Sequence, residues 1–295
     1  MSWRRFGHKP SRSSAPGTTL TERIESVEKI AKSRDMIEIR SCQGFDELEA
    51  CVRLQIETWG YDESDVIPRK TFLVAQSIGG QVIGAFDSSI SGGGAKSLVG
   101  FVFALPGIKV GLGLPRAYLH SHMLAVKNAY RNRGLGRELK LEQRREALSR
   151  GIRHIEWTFD PLEIKNAFLN IHRLGAIVRS YRPDFYGVSS SRLQGGLPTD
   201  RLVAEWWLDS RRVQSIVAGR TPVVNEVKER VKVPASIYEW KSADAGKERA
   251  LAVQSENRIK FEQAFSQGFA VLGFTRDSEG NGVFELGPLA QIELN

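Results

Sequence analysis

The sequence predicts a mixed α/β (α+β) fold in which helices flank a central sheet. Short apolar runs with alternating polarity recur along the chain, and amphipathic stretches of helical period lie between many of them. The composition agrees, because 41% hydrophobic and 26% charged residues in a chain of 295 are typical of a globular protein with a buried core. This length fits one large domain or one domain with an extension.

The first 35 residues are predicted to form a flexible basic tail. Residues 1–19 contain four arginines and lysines, no acidic residue and many Ser, Gly and Pro. They lack the long apolar core of a secretory signal, although their composition leaves an organellar transit peptide open. Since no apolar run reaches the roughly 20 residues that span a bilayer, we expect a cytoplasmic protein without a membrane partner. Cys42 and Cys51 are expected to be reduced.

The next elements are predicted from periodicity. Residues 36–40 alternate in polarity and predict the first strand, and Phe45, Leu48, Val52 and Ile56 recur at helical spacing before Gly60. The further predictions are a helix at 65–76, strands at 81–86 and 98–105, and a glycine-rich loop at 106–115. This loop is expected either at the mouth of a site or as a plain hairpin connection.

The stretch from 117 to 153 predicts an anion site. A strand at 117–126 is expected to place Tyr118, His120, His122, Leu124 and Val126 on one side. A basic loop then ends in Gly134-Leu135-Gly136, and a helix is predicted at 135–149. Glycines let the backbone approach an anion, and the unpaired N–H groups of a first helical turn point at it. Between residues 131 and 153, eight arginines and lysines against three glutamates favour a multiply charged ligand.

The rest of the chain alternates in the same way and then loses recognisable motifs. The predicted elements are a strand at 153–159, a helix at 163–174 and strands at 176–181 and 202–208. Beyond residue 210, we expect a strand and turn in VKVPASIYEW, a polar helix at 243–267 and a hairpin at 268–276 and 282–286. The predicted organisation is therefore a tail (1–35), a core (36–209) and an extension (210–295) that packs on the core or on a partner subunit.

The residue order of the loop narrows the class of site. It lacks the Gly-Lys-Ser/Thr ending of a Walker loop and the third glycine of a Rossmann fingerprint. Its Val126, Tyr130, Arg131, Arg133, Gly134 and Gly136 instead match the spacing Val-x-x-x-Tyr-Arg-x-Arg/Lys-Gly-x-Gly. This motif resembles the acyl-CoA site of the GNAT acyltransferase superfamily. The blocks HSHMLAV (120–126) and WTFDPL (157–162) resemble a poorly characterised subgroup of predicted acetyltransferases within it.

This resemblance implies a mostly antiparallel sheet over 36–209 and a site for acetyl-CoA or another acyl-CoA, with no metal. The backbone N–H groups of 131–136 would hold the CoA pyrophosphate, and the end of the strand would pair with the pantetheine arm. The implied CoA-binding residues are Leu124, Ala125, Val126, Arg131, Asn132, Arg133, Gly134, Leu135 and Gly136, with Asn166 at the start of the following helix.

Three residues are the candidates for catalysis. His122 lies closer than His120 to the thioester-binding end of the strand, so we predict His122 as the general base and His120 as its support. Asp160 ends the next strand and is predicted to bind the acceptor's ammonium or to orient a histidine. The alternative is structural: histidines with filled hydrogen bonds and an Asp that caps a helix. In many members of the superfamily, a tyrosine acts as the general acid at the position where this chain has Ile171. The substitutes are Asn170, His172 or Tyr186, unless the thiolate leaves unassisted.

The leading function is an acyl-CoA-dependent N-acyltransferase that transfers acetyl to a small amine or amino acid by direct attack in a ternary complex. One alternative is a CoA-binding sensor or assembly module without catalysis. Another is a nucleic-acid-binding protein, because the net charge is +8. We expect no nucleic-acid partner, since no zinc spacing, RNP motif or helix-turn-helix was found. The sequence leaves open whether the protein forms a homodimer.

Overall fold

Ten strands form one mixed sheet in the computed structural model, which describes residues 36–110 and 115–293. The predicted tail at 1–35 lies outside the described residues. The described residues from Glu38 onward form one compact unit. The strands are β1 Ile37–Ser41, β2 Gln81–Asp87, β3 Leu98–Lys109, β4 Arg116–Val126, β5 His154–Phe159, β6 Ile177–Arg182, β7 Arg201–Trp207, β8 Glu229–Val233, β9 Phe269–Arg276 and β10 Gly282–Pro288.

The strand order is β1-β2-β3-β4-β5-β7-β6-β9-β10-β8. Strands β4 and β5 are parallel, whereas β2–β3–β4 and the pairs from β5 to β8 are antiparallel. The predicted mixed, mostly antiparallel sheet is therefore confirmed, and the predicted order of strands and helices is found between β1 and β7.

The helices are α1 Gly44–Trp59, α2 Arg69–Ser77, α3 Gly94–Ser97, α4 Leu135–Ser149, α5 Ile164–Ala167, α6 Arg211–Val217, α7 Ile237–Ser242 and α8 Lys247–Ser266. Helices α1 and α2 bury Leu48, Leu54 and Phe72 against the β2–β4 part of the sheet. Helices α4, α5, α7 and α8 contribute to a second core over β5–β10, where Phe261 is fully buried. Truncating such a buried ring costs about 3–5 kcal/mol of stability.

Four predicted elements differ in the structure. Helix α2 begins at Arg69 rather than 65, because Pro68 adopts an extended conformation before it. Strand β3 continues to Lys109, so 106–109 are not loop, and 111–114 lie outside the described residues. The segment after β8 forms helix α7 rather than a turn. The helix predicted at 163–174 is α5 followed by a π-helical turn, Phe168–Arg173.

The helix and hairpin predicted in the extension are confirmed as α8 and β9–β10. Strand β9 contacts β6 at Val178 and Val271, so the hairpin continues the sheet. Two ion pairs reinforce this junction: Lys241 of α7 with Asp160, and Arg258 of α8 with Asp200. The boundary at residue 209 stays a prediction, since one sheet runs through both parts.

Candidate active site

Strand β4 is paired unequally along its two edges. Toward β3 it pairs from Arg116 to Val126, whereas toward β5 only two pairs form, Leu119 with Ile155 and His120 with Glu156. Beyond these pairs the strands separate, and within the described residues no strand covers this edge of 121–126. An uncovered edge presents N–H and C=O groups that an extended ligand can bind as an added strand.

A β-bulge at His122 changes which side of the sheet each β4 residue faces. Met123 is opposite Phe103 and Ser121 is opposite Ala104, so His122 has no partner in β3. Ser121 faces α4, since its Oγ accepts a hydrogen bond of 2.7 Å from Lys140 Nζ. Leu124 also faces α4, because a Cβ placed on Gly136 would lie 3.7 Å from Leu124 Cδ2.

The bulge therefore contradicts the prediction that His120, His122, Leu124 and Val126 share one side. Strict alternation would place Ser121 and Leu124 on opposite sides, whereas both face α4. The two histidines project from the opposite side. Their ring centroids are 6.1 Å apart, and the His122 ring lies 6.1 Å from the ring of Phe103 in the first core. The sequence holds no clear signal for this extra residue.

Hydrogen bonds fix the loop between β4 and α4. Tyr130 donates a hydrogen bond of 2.6 Å to Asp87 Oδ2 at the end of β2, and Arg131 Nε donates to the carbonyl of Val126 at 2.9 Å. Burial, together with the Asp87 carboxylate, raises the pKa of Tyr130 to about 12, so its hydroxyl stays a donor at neutral pH. Tyr130, the tyrosine of the loop motif, therefore fixes the loop to the end of β2.

The loop ends in a concave backbone segment that exposes amides. Asn132 (φ 62°) and Gly134 (φ 91°, ψ −7°) both adopt the left-handed region. Gly134 is the N-cap of α4, and among the described residues the N–H groups of Leu135 and Gly136 meet no backbone carbonyl. Alternating backbone conformations of this kind, followed by a helix N-terminus, form an anion-binding concavity.

The charges around this concavity are positive. Arg131 and Arg133 are exposed beside it. Arg137, in the first turn of α4, donates to the carbonyls of Arg173 and Val217 at 3.4 and 2.9 Å. Gly136 leaves a gap of about one methyl group between Leu124 and Leu169. Amides, positive charge and an adjoining free strand edge suit a ligand that has a diphosphate and an extended arm, as CoA does.

The structure brings together nearly all of the predicted CoA-binding residues. The free strand edge at Leu124–Val126 lies next to the loop Arg131–Gly136, because Leu124 packs close to Gly136. Asn166 is the exception: it is exposed on α5, and none of its described contacts joins it to the loop. Leu169, three residues later in the π-helical segment, approaches the loop instead: its Cδ2 would lie 4.0 Å from a Cβ placed on Gly136.

Burial keeps both histidines neutral. Burial first, and the neighbouring His120 second, lower the pKa of His122 to about 4. Burial, followed by the charges of Lys140 and Lys109, also lowers the pKa of His120. Each imidazole therefore has a free lone pair at neutral pH and can accept a proton or a hydrogen bond.

An aromatic and polar cluster lies beside His122 on the same side of the sheet. The ring of Tyr186 is 6.5 Å from that of His122, and its hydroxyl is 2.8 Å from Thr158 Oγ1 on β5. The Arg201 guanidinium lies 5.3 Å from the Tyr186 ring centroid. Trp59 stacks on Tyr61 at 5.4 Å. Sequence reasoning named Tyr186 only as a substitute acid and missed Thr158 and Arg201.

Asp160 is held inside the protein by both carboxylate oxygens. Its Oδ1 accepts a hydrogen bond of 2.8 Å from the amide of Leu162, and its Oδ2 accepts one of 2.8 Å from Lys241 Nζ. The residue is only 8% exposed. Asp160 thus joins the extension to the core, which favours the structural alternative, and its role toward an acceptor or a histidine stays a prediction.

Three further observations concern an acid, a metal and a membrane. Ile171, at the position where the GNAT resemblance implies a tyrosine that acts as an acid, is fully buried in the second core. No cluster of three or more His, Cys, Asp or Glu that could hold a metal occurs in the part of the chain that the structure describes. None of the helices at 36–110 and 115–293 is long and apolar enough to cross a membrane.

Three of the solved structures that are similar to this chain come from bacterial and eukaryotic proteins that are named for acetyl transfer or were solved with acetyl-CoA or CoA. The ribosomal-protein-S18-alanine N-acetyltransferase of Escherichia coli is 18% identical, with a TM-score of 0.43, over 58% of this chain and 93% of that one. Arabidopsis thaliana NAA60 in complex with acetyl-CoA is 17% identical, with a TM-score of 0.46, over 58% and 99%. A chain of the NatC complex bound to Gag peptide and CoA is 12% identical, with a TM-score of 0.44, over 58% and 97%.

No protein-family model matches the chain, and no curated protein matches it. These identities and TM-scores are too low for the function of a solved structure to be assigned to this chain. The function is therefore inferred from the residues of this chain.

Proposed function

We propose that this protein is an acetyl-CoA-dependent N-acetyltransferase that acts on a small primary amine in the cytoplasm. The observation that carries the proposal is the free edge of β4 leading directly into the amide-lined concavity at Gly134. The free strand edge suits the pantetheine arm of a CoA molecule, and the concavity suits the pyrophosphate of the same molecule. The residues proposed to hold CoA are Leu124, Ala125, Val126, Arg131, Asn132, Arg133, Gly134, Leu135 and Gly136.

The bulge supports a position for the thioester. Because His122 lacks a partner in β3, its own backbone is free to turn an N–H toward the gap between β4 and β5. An amide aimed there would polarise the thioester carbonyl and stabilise the negative charge that develops on its oxygen during attack. This side of the chemistry then depends on backbone rather than on a charged side chain.

The neutral histidines supply the acceptor side. His122 would accept the proton that the attacking amine loses, directly or through one water, and His120 would support it. Since the amine has a pKa of about 10 and His122 one of about 4, His122 serves as a relay to solvent rather than as the final proton sink. The thiolate of CoA would leave without an acid, in agreement with the buried Ile171.

A calorimetric titration and a turnover assay test the proposal together. Purified protein is titrated with CoA and with acetyl-CoA, and thiol release from acetyl-CoA is then measured across a panel of primary amines. We expect saturable binding of both ligands and amine-dependent release of thiol. If neither ligand binds at millimolar concentration, the proposal is refuted.

A second function has two observations in its favour. The buried Ile171 provides no acid, and a His122 of such low pKa is a weak base, which suits a CoA-binding module without catalysis. Binding of acetyl-CoA without turnover of any amine, unaltered in His122→Gln, would support this module. A nucleic-acid-binding function would instead show salt-dependent binding that persists at saturating CoA.

A further inference from the structure

Arg182 and Arg201 lie side by side in the sheet, neither forms an ion pair with a carboxylate of the described residues, and Arg201 lies beside Tyr186. Arg182 and Arg201 are directly opposite each other in the antiparallel β6–β7 pair. Cross-strand partners project from the same face, and like charges in this arrangement destabilise a sheet. In the described residues, the ion pairs nearest to them in these strands are Arg179–Glu205 and Arg258–Asp200, and neither includes Arg182 or Arg201. Such a pair is stabilised when an anion binds between the guanidinium groups.

Neutral groups hold Arg201 in place. Its Nη1 donates to the carbonyl of Asp200 at 2.8 Å, and its Nη2 donates to Gln194 Oε1 at 3.1 Å. A guanidinium has five N–H donors, so several remain available to a ligand. Because both partners are uncharged, the positive charge of this half-buried side chain is oriented but not neutralised.

The carboxylates of the neighbouring loops are engaged by other donors. The Asp200 carboxylate accepts hydrogen bonds from Arg258, the Asp184 carboxylate from the amide of Thr199, and the Asp65 carboxylate from Ser190. Of these acids only Asp200 has a cation as its partner, and among the described residues none of the three forms an ion pair with Arg182 or Arg201.

Tyr186 connects the arginine pair to the proposed chemistry. Its ring centroid lies 5.3 Å from the Arg201 guanidinium and 6.5 Å from the His122 ring, and its hydroxyl is fixed by Thr158. A bound molecule that lies along this ring would have one end at the guanidinium groups and the other near the histidine. The distances suit a small molecule with an anionic group and a nucleophile a few bonds apart.

Building on the N-acetyltransferase function proposed above, we infer that the acceptor is a primary amine that carries an anionic group. Arg182 and Arg201 bind the anion, Tyr186 contacts the intervening atoms, and the amine is directed at His122. Guanidinium groups bind carboxylates and phosphates through paired hydrogen bonds. The acceptor class is therefore amino acids or phosphorylated amines.

The test compares acceptors that differ only in the anionic group. Initial rates with acetyl-CoA are measured for phenylalanine against phenethylamine, β-alanine against ethylamine, and phosphoethanolamine against ethanolamine. We expect kcat/KM to be at least about tenfold higher for the anionic member of the preferred pair, as a charge-assisted hydrogen bond provides. Whether the amino acids or phosphoethanolamine show this preference assigns the carboxylate or the phosphate.

Three variants locate the effect. Arg201→Gln and Arg182→Gln should each remove most of the preference by raising KM, while the Kd for acetyl-CoA stays unchanged. Arg249→Gln, which removes an exposed arginine of α8, is the charge-matched control and should keep the preference. Arg182→Gln should also leave the melting temperature equal or higher, because it removes a like-charge contact, whereas a merely structural arginine would lower it.

The outcomes separate this inference from the function on which it rests. If CoA does not bind, the proposed function fails first. If amines are acetylated with no preference for their anionic partners, or the arginine variants lower both members of a pair equally, the inference alone is wrong. Calorimetry of N-acetylphenylalanine and N-acetylphosphoethanolamine with the CoA-loaded protein gives a readout without turnover, and failure of both to bind also overturns it.

Discussion

The two sides of the candidate site are built by different means. The proposed donor side, which would bind CoA, consists of 13 consecutive residues, Leu124–Gly136, and its functional groups would be main-chain amides at a strand edge and a helix N-terminus. The proposed acceptor side is assembled from side chains of five separate segments: His122 on β4, Thr158 on β5, Arg182 on β6, Tyr186 in the loop after β6, and Arg201 on β7.

This difference determines what each side depends on. The donor side depends on local backbone conformation, so a change at one glycine is expected to disable it. The acceptor side depends on anchors outside the site. Asp200, which is fully buried, accepts hydrogen bonds from Tyr181, from the amide of Asp184 and from Arg258 of the extension. The extension thereby holds the segment that carries Tyr186.

Gly134→Glu should have the largest effect, because it alters the donor side directly. A side chain at φ 91° is strained, and the carboxylate would face the proposed diphosphate. We expect CoA binding to weaken by about 100-fold or more, roughly 3 kcal/mol, in calorimetry. Gly151→Glu is the control: its φ of 75° imposes similar strain at the other end of α4, in open space. Equal loss of affinity in both variants would mean that strain, not the concavity, explains the result.

Arg258→Ala should sharpen the comparison from the other side. It leaves the buried Asp200 carboxylate without its cation, and breaking such a pair costs about 3 kcal/mol or more. We expect lower stability in urea unfolding and a higher KM for the acceptor, with the Kd for CoA unchanged. Lys260→Ala breaks the exposed Lys260–Glu256 pair on the same helix and should cost under about 1 kcal/mol. Loss of CoA affinity in Arg258→Ala would show that the two sides are not independent.

His122→Gln tests where the acceptor chemistry is centred. Glutamine retains a polar side chain but cannot relay a proton, so kcat should fall by about 100-fold. CoA affinity should persist, since the donor side uses only backbone near this residue. His154→Gln is a matched control, because His154 stacks on Trp207 at 4.5 Å, away from Tyr186. Equal rates for His122→Gln and the unmodified protein would place the proton relay elsewhere.

The depressed pKa of His122 also predicts a pH dependence of stability. In the unfolded chain its pKa is about 6.5, whereas in the folded protein it is about 4. Between these two pH values the unfolded state binds more protons at His122 than the folded state does. The free energy of unfolding is therefore not reduced by His122 above about pH 6.5, and it falls as the pH drops toward 4. His122→Gln should therefore lose less stability than the unmodified protein between pH 7 and pH 5, as urea unfolding at both values can measure. Parallel losses in the two proteins would contradict the burial of this imidazole.

The same contrast explains what the sequence could predict. The loop motif at Val126–Gly136 is contiguous, and its glycines and helix start have local signatures, so the strand, loop and helix of the proposed donor side were predictable. The bulge at His122 was not, because it arises from pairing with β3. The contact of Asp160 with Lys241 was not predictable either, since the two residues are 81 positions apart. The cross-strand contact of Arg182 and Arg201 depends on the β6–β7 register, which a sequence alone does not provide.

Tyr186→Phe should have the smallest effect and decides between two roles for this residue. If Tyr186 only positions the acceptor, loss of the Thr158 hydrogen bond costs about 1 kcal/mol, which raises the acceptor KM about fivefold while kcat stays nearly constant. If Tyr186 instead protonates the departing thiolate, kcat should fall by about 100-fold. Tyr238→Phe, which loses a hydrogen bond of 3.3 Å from the amide of Lys165, is the control. A large fall in kcat for Tyr186→Phe alone would transfer this residue from the acceptor side to the donor chemistry, and the separation of the two sides would no longer hold.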